Sequence, residues 1–88
     1  MYYTFTVSTD AAQERGIVGL RELPDLIHDF GFLAREHGAI SSYLDDGSLI
    51  AVKGSLTVTL SIDTTEDPFP SRRLLTCIEE MMEKCFGK

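Results

Sequence analysis

Residues 55–62 constrain the fold of this chain most strongly, because apolar and polar side chains alternate along them without a break. The apolar residues are leucine, valine and isoleucine, and the residues between them are serine or threonine. Successive side chains of a β-strand point to opposite faces of a sheet, so this period of two predicts a strand with one buried face. That face has to be covered, and the sequence must therefore provide further strands and a packing layer.

Four other segments carry the patterns of those strands and helices. Residues 2–8 repeat the alternation, and two apolar runs around an Asp-Asp-Gly turn predict a hairpin over residues 39–52. Apolar residues at helical spacing predict one helix over residues 24–37 and a second over residues 72–86. Ser71 is the expected N-terminal cap of the second helix.

Residues 10–22 show no clear period between the first strand and the first helix. We expect Thr9 or Asp10 to cap a short helical turn that Gly16 ends, and the remainder to form a loop. The element order β-α-β-β-β-α then predicts an α+β fold in two layers, with a four-stranded, mainly antiparallel sheet and two helices on one face. Because 88 residues suffice for one hydrophobic core, residues 1–88 are expected to form a single α+β domain.

The charge of the chain narrows the classes of partner. The sequence has 14 Asp and Glu against 8 Lys and Arg, a net charge of −6. This charge repels phosphate backbones, so we predict no direct nucleic-acid binding, and it attracts a basic partner. No apolar run approaches the roughly 20 residues of a membrane helix, and the N-terminus has no signal-peptide pattern. We therefore expect no membrane association and a cytoplasmic location, in the bacterial or host-cell cytosol.

The residues that most often carry catalysis or bind metals form no recognisable motif. His28 and His37 would point to different faces of the first helix and make no local metal site. Cys77 and Cys85 lie in one predicted helix, with Cα atoms about 12 Å apart, which is too far for a disulfide. Both cysteines lie on or beside the apolar stripe of that helix, where thiols are usually unreactive. We therefore predict free thiols in a reducing compartment, and no catalytic residue, metal site or cofactor.

The first predicted helix has an unusual outer face, on which Phe32 lies opposite the apolar stripe and between carboxylates. These carboxylates belong to Asp25, Asp29 and Glu36. An aromatic anchor within an acidic rim suits a basic protein partner, so we predict that these four residues form the partner-binding surface. In the alternative, Phe32 tucks under residues 10–22 and has only a packing role.

The second predicted helix carries apolar residues over an arc of about 180°, wider than the stripe of about 100° that one sheet face needs. The surplus includes Met82 and Phe86. It either packs against the first helix or forms a homodimer interface, and in the second case Met82 and Phe86 are the interface residues.

Two arginines, Arg72 and Arg73, lie in the first turn of the second helix, where positive charge opposes the helix dipole. They are expected to pair elsewhere, and Glu66 and Asp67 in the preceding loop are the nearest acidic residues in sequence. The alternative is that the two arginines bind an anion or an acidic partner.

These observations favour a non-enzymatic protein that binds a basic or nucleic-acid-binding protein partner and occludes its functional surface. Small acidic domains with this role are frequent among phage and mobile-element inhibitors of bacterial defence, including anti-CRISPR proteins, and among toxin-immunity proteins; this step is an analogy. The alternative is a homodimeric module that binds a small ligand between its sheet and helices. A small enzyme of unknown class is the third hypothesis, although the sequence shows no convergent catalytic groups.

Overall fold

A computed structural model of the chain describes residues 1–67, 70 and 72–87. It has an α+β fold in which five strands form one antiparallel sheet and two helices pack against that sheet. The order across the sheet is β2-β1-β5-β4-β3. The elements are β1 (Tyr2–Ser8), β2 (Gln13–Ile17), α1 (Leu26–Glu36), β3 (Ile40–Tyr43), β4 (Leu49–Lys53), β5 (Leu56–Thr65) and α2 (Leu74–Phe86). The α+β class is confirmed, and the prediction of four strands is wrong by one strand, β2.

The additional strand, β2, occupies residues that we expected to form a helical turn and a loop. Thr9 closes the β1–β2 turn instead of capping a helix, because its Oγ1 accepts hydrogen bonds from the backbone N–H groups of Ala11 and Ala12, each at 3.1 Å. Strand β2 lies at the edge of the sheet and is mostly polar, so it lacks the alternation that reveals a half-buried strand. A 3-10 turn at Leu20–Glu22 then leads towards α1.

Gly16 lies in β2 directly opposite Phe5 of β1, and both residues are buried. A Cβ atom at residue 16 would lie 2.8 Å from the Phe5 ring and 3.2 Å from the Cβ atom of Arg72. The ring therefore occupies the space that a side chain at residue 16 would need. A glycine that we expected to end a helical turn is instead required by close packing within the sheet.

The hydrophobic core lies between one face of the sheet and the two helices. Neighbouring strands bring Val7, Leu60 and Leu49 into one buried row across β1, β5 and β4. The helical side chains buried in the core are Leu26, Phe30 and Ala34 of α1 and Leu74, Cys77, Ile78, Met81, Met82 and Phe86 of α2. The opposite face of the sheet carries the serine and threonine residues of the alternating strands.

The two helices start together and end together, which makes them parallel neighbours. At the start of α2, the Leu74 backbone N–H donates to Oε2 of Glu22 at 3.1 Å, so a carboxylate from the 3-10 turn caps this helix. At the other end, His37 Nδ1 and the Gly87 carbonyl oxygen are 2.9 Å apart, and Lys53 Nζ donates to the Phe86 carbonyl at 3.2 Å. The cap that we expected, Ser71, lies outside the described residues.

Candidate protein-binding site

A narrow cleft of about 170 Å³ runs between the outer sides of α1 and α2. It exists because the two helices lie side by side on the sheet, each burying its apolar stripe and leaving its flank at the surface. The residues that line the cleft are Asp29, Phe32 and Leu33 of α1 and Leu75, Thr76 and Glu79 of α2. The cleft thus combines an apolar floor with a carboxylate from each helix.

Phe32 lies at the surface of this cleft and is 50% exposed. Its neighbours across the cleft come from α2, so it does not take the alternative position under residues 10–22. The reason is that β2 carries those residues to the edge of the sheet beyond β1, whereas α1 packs over β3 and β4. The ring is therefore available for a contact outside the chain.

The three carboxylates predicted around Phe32 occupy the same helix flank. Asp25 and Glu36 are exposed, and Asp29 is half-buried at the wall of the cleft, with Oδ1 3.5 Å from Nδ1 of the exposed His28. The structure brings all four predicted partner-binding residues to one side of α1.

Sequence reasoning missed the contribution of α2 to this surface. Leu75 and Glu79 complete the cleft, and Glu80 and Glu83 are exposed on the same helix. The signal that could have found Leu75 and Glu79 is their position at the border of the wide apolar arc of α2. Residues at such a border face a neighbouring helix when two helices share one sheet face.

Arg72 and Arg73 are placed differently from our expectation. Arg72 forms an ion pair with Glu14 of β2 rather than with the acidic loop, because β2 runs beside the segment that enters α2. The Cys77 side chain and the Glu14 carboxylate raise the pKa of Arg72, which stays charged. Arg73 is exposed at the N-cap position of α2. Of the two expected acidic partners, Glu66 lies 3.6 Å from the N-terminal ammonium group.

The surplus apolar residues of α2 are buried within the chain. Met82 is fully buried and Phe86 nearly so, and both belong to the core that includes Phe30 of α1. Packing between the helices thus accounts for the width of the apolar arc. Neither side chain lies at the surface of the chain, and the reason for assigning them to a dimer interface is removed.

A second and larger cavity, of about 310 Å³, lies between the β1–β2 turn and the second half of α2. Its wall includes Ala11, Leu56, Met81 and Cys85. The Cys85 thiol lies 3.7 Å from the Thr57 carbonyl oxygen, and burial raises its pKa, with a further contribution from the charge of Asp10. The thiol is therefore protonated at neutral pH and poorly suited to act as a nucleophile.

Within residues 1–67, 70 and 72–87, no group of three or more His, Cys, Asp and Glu side chains is arranged to hold a metal ion. In the same residues, neither helix has the length and apolar character that crossing a membrane requires.

Comparison of the chain with family models, with curated proteins and with solved structures gave no match.

Proposed function

We propose that this chain is a non-enzymatic inhibitor or regulator that binds a basic surface of a protein partner and occludes it. The observation that supports the proposal is the cleft between α1 and α2, in which a half-exposed aromatic ring lies between carboxylates of both helices. The proposal extends by analogy to the anti-CRISPR and toxin-immunity classes, whose members block the functional surface of a nucleic-acid-binding protein or a toxin.

The size and lining of the cleft suit one long basic side chain of the partner. A volume of about 170 Å³ is below the roughly 300 Å³ at which small-molecule pockets begin. Leu33 and Leu75 offer an apolar surface to the methylene stem of a lysine or arginine, and Asp29 and Glu79 offer carboxylates to its charged end. The face of Phe32 adds a cation–π contact for an arginine.

The charges around the cleft favour the same kind of partner. Glu79 and Glu83 on α2 are a pair of like charges four residues apart, which destabilises this helix by a few tenths of a kcal/mol. Asp25, the N-cap of α1, and Asp29 in its first turn repel each other in the same way, and the helix dipole partly offsets this repulsion. Helix stability therefore does not explain Glu79 and Glu83. Attraction of a basic surface does, because an acidic rim speeds association with a positively charged partner.

The test begins with a partner isolated on the tagged chain from native-host lysate, followed by surface plasmon resonance. Phe32→Ala should accelerate dissociation by about 30-fold, the equivalent of about 2 kcal/mol for a buried anchor. Asp29→Lys with Glu79→Lys should slow association and weaken its dependence on salt. Leu20→Ala is the matched control, since Leu20 is also an exposed apolar residue but lies in the 3-10 turn.

The proposal is rejected if the folded Phe32 and charge variants bind the partner with the kinetics of the unaltered chain. Circular dichroism of each variant should be unchanged, which separates a lost contact from a lost fold. Equal effects of Phe32→Ala and Leu20→Ala would also contradict a specific role for the cleft.

The cavity at the β1–β2 turn supports a second candidate function, binding of a small apolar ligand. Its volume of about 310 Å³ reaches the lower limit of known ligand pockets, and Ala11 and Met81 are among its apolar wall residues. Native mass spectrometry of the purified protein should then show a bound metabolite, and Ala11→Phe should displace it by filling the space. A chain that carries no added mass under these conditions would contradict this function.

A further inference from the structure

The β3 edge of the sheet is exposed along its whole length. Every residue of β3 is exposed, with Ile40 at 74% and Tyr43 at 62% of their full accessibility. Leu44, which follows the strand, and Ile27 on the neighbouring side of α1 are exposed as well. Edge strands usually carry a charge, a proline or a bulge that blocks further pairing, and β3 has none of these.

The backbone of β3 has hydrogen-bonding groups directed away from the sheet. Strand β3 pairs with β4 on one side, and on its other side it meets no strand in the described part of the chain. The Leu44 N–H donates to the Ser48 carbonyl at 2.8 Å, which fixes the alternation of bonded and non-bonded pairs along this hairpin. In that alternation the backbone groups of Ser41 and Tyr43 point outward and form a template for another strand.

We propose that β3 pairs with β3 of a second copy of this chain, so that two five-stranded sheets join across a two-fold axis. An axis perpendicular to the sheet keeps each residue on its own face, so paired residues must belong to the same face. Pairing centred on Ser42 satisfies this condition: it places Ser41 opposite Tyr43 and Ile40 opposite Leu44 of the second copy. This interface is different from the α2 interface that the sequence leaves open for Met82 and Phe86.

The pairing centred on Ser42 uses every outward backbone group. Ser41 and Tyr43 each bring one N–H and one C=O, and opposite each other they exchange hydrogen bonds. The same pairing brings Ile40 of one copy into contact with Leu44 of the other. Both are exposed apolar side chains, and both lie on the serine and threonine face of the sheet. Pairing centred on Ser41 would instead need the Ala39 N–H, which already donates to the Ala34 carbonyl at 2.8 Å.

The position of α1 fits the same arrangement. Helix α1 packs over β3 and β4, and neighbouring strands lie about 4.8 Å apart. In the joined sheet, α1 and its copy are therefore two strand spacings apart, about 10 Å, which is a usual distance for packed helices. Gly31 lies on the side of α1 that approaches β3, where a Cβ atom would be 3.3 Å from the Ser41 hydroxyl oxygen. A residue without a side chain lets α1 lie close to β3, and in the dimer the exposed Ile27 gains an apolar contact.

Charge complementarity favours a second copy over an unrelated strand. The chain repels itself overall, but the groove between α1 and β3 is lined by His28 and Arg35 and by no carboxylate. The antiparallel register brings Asp45 and Asp46, just beyond Leu44, towards the opposite end of the second β3. Arg35 lies at that end, so acidic and basic groups of the two copies meet.

Sedimentation velocity over a concentration series tests the proposal. The strand pairing is short, so we expect a reversible dimer at about 10–500 µM, as for interfaces below about 1,200 Å². Ile40→Lys should raise the dimer dissociation constant more than 10-fold, because it places a charge against the apolar Leu44 side chain of the second copy. Leu20→Lys is the matched control, since it adds the same charge at an exposed leucine far from β3 and should leave dimerisation unchanged.

A cysteine cross-link tests the register. Ser42→Cys should form a disulfide-linked dimer under mild oxidation, because the axis brings the two copies of residue 42 within bonding range. Ser41→Cys should not, since its two copies lie on a diagonal, and Ser55→Cys in the β4–β5 turn gives the background of random collision. A strict monomer at all concentrations overturns the proposal. So does a dimer that Ile40→Lys leaves intact, or cross-linking at Ser42 no greater than at Ser55.

Discussion

The two edge strands of the sheet, β2 and β3, differ in whether their outer side is contacted by the rest of the chain. At β2, residues that precede α2 contact the outer side of the strand. The Ile17 N–H donates to the Pro70 carbonyl at 3.1 Å, and Glu14 forms an ion pair with Arg72. At β3 the outward groups of Ser41 and Tyr43 meet no strand among the described residues. The β2 edge is thus partly covered by the chain's own backbone, whereas the β3 edge has backbone groups free to pair with another strand.

The residues of the two edges differ in the same sense. Strand β2 contains Glu14 and Arg15, charged residues that discourage pairing, in addition to the Pro70 contact at its Ile17 end. Strand β3 contains no charge and exposes Ile40 and Tyr43. The edge in greater need of protection has the less protective sequence, as expected if β3 pairs with a second copy in the way proposed above.

The largest effect is expected at the closed edge, from Gly16→Ala. The new methyl group would lie 2.8 Å from the Phe5 ring, so the ring must move, and we expect a loss of about 2 kcal/mol in the free energy of unfolding. Gly19→Ala is the control, because its new atom would lie 3.7 Å from Oε1 of Glu22 and the backbone φ of Gly19 is −75°. Urea unfolding gives both values, and equal stabilities would contradict the close packing at residue 16.

An intermediate effect is expected when proline replaces one residue on each edge. Ile17→Pro removes the N–H that bonds Pro70, whereas Ser41→Pro removes an N–H that points away from β4. Relative to alanine at the same position, we expect proline to cost about 1 kcal/mol at residue 17 and under about 0.5 kcal/mol at residue 41. Thermal unfolding at a concentration where the chain is monomeric provides the measurement. A larger cost at residue 41 would mean that the β3 edge is bonded within the chain.

The smallest effect is expected from the ion pair that covers β2. Arg72→Ala should lower the free energy of unfolding by less than about 1 kcal/mol, because the pair with Glu14 is partly exposed. The loss should shrink at about 1 M salt, which screens the charges. Arg73→Ala, the exposed neighbour, should change stability less and without salt dependence. Equal, salt-independent effects of the two variants would show that the ion pair does not stabilise the β2 edge.

Much of the fold could be read from periodicity, because most elements bury one face. The strict alternation of residues 55–62 falls on β5 from Leu56 onwards, and both predicted helices are present. Strand β2 was not predicted because it is a mostly polar edge strand and so shows no apolar alternation. The hydrogen bond by which Glu22 caps α2 at Leu74 was not predictable either, because a contact between residues 52 positions apart leaves no local pattern in the sequence.

The candidate site was predictable on one helix and not on the other. The outer face of α1 follows from its own helical period, so Asp25, Asp29, Phe32 and Glu36 could be assigned before the structure. The contribution of Glu79 depends on which flank of α2 meets α1, and that is decided by the sheet. A local pattern identifies a face but not the neighbour that it meets.

The position of β1 between β2 and β5 has a consequence for how the chain folds during synthesis. Strand β1 pairs along its whole length with β5, whose residues are made long after it, and with β2, which follows at once. On the ribosome the β1–β2 hairpin therefore forms alone, and an isolated two-stranded hairpin is only marginally stable in water. Phe5 and Val7 stay exposed to solvent until β5 emerges. The slowest step in folding should be the closure of this long loop, and the nascent chain is most vulnerable to aggregation before that step.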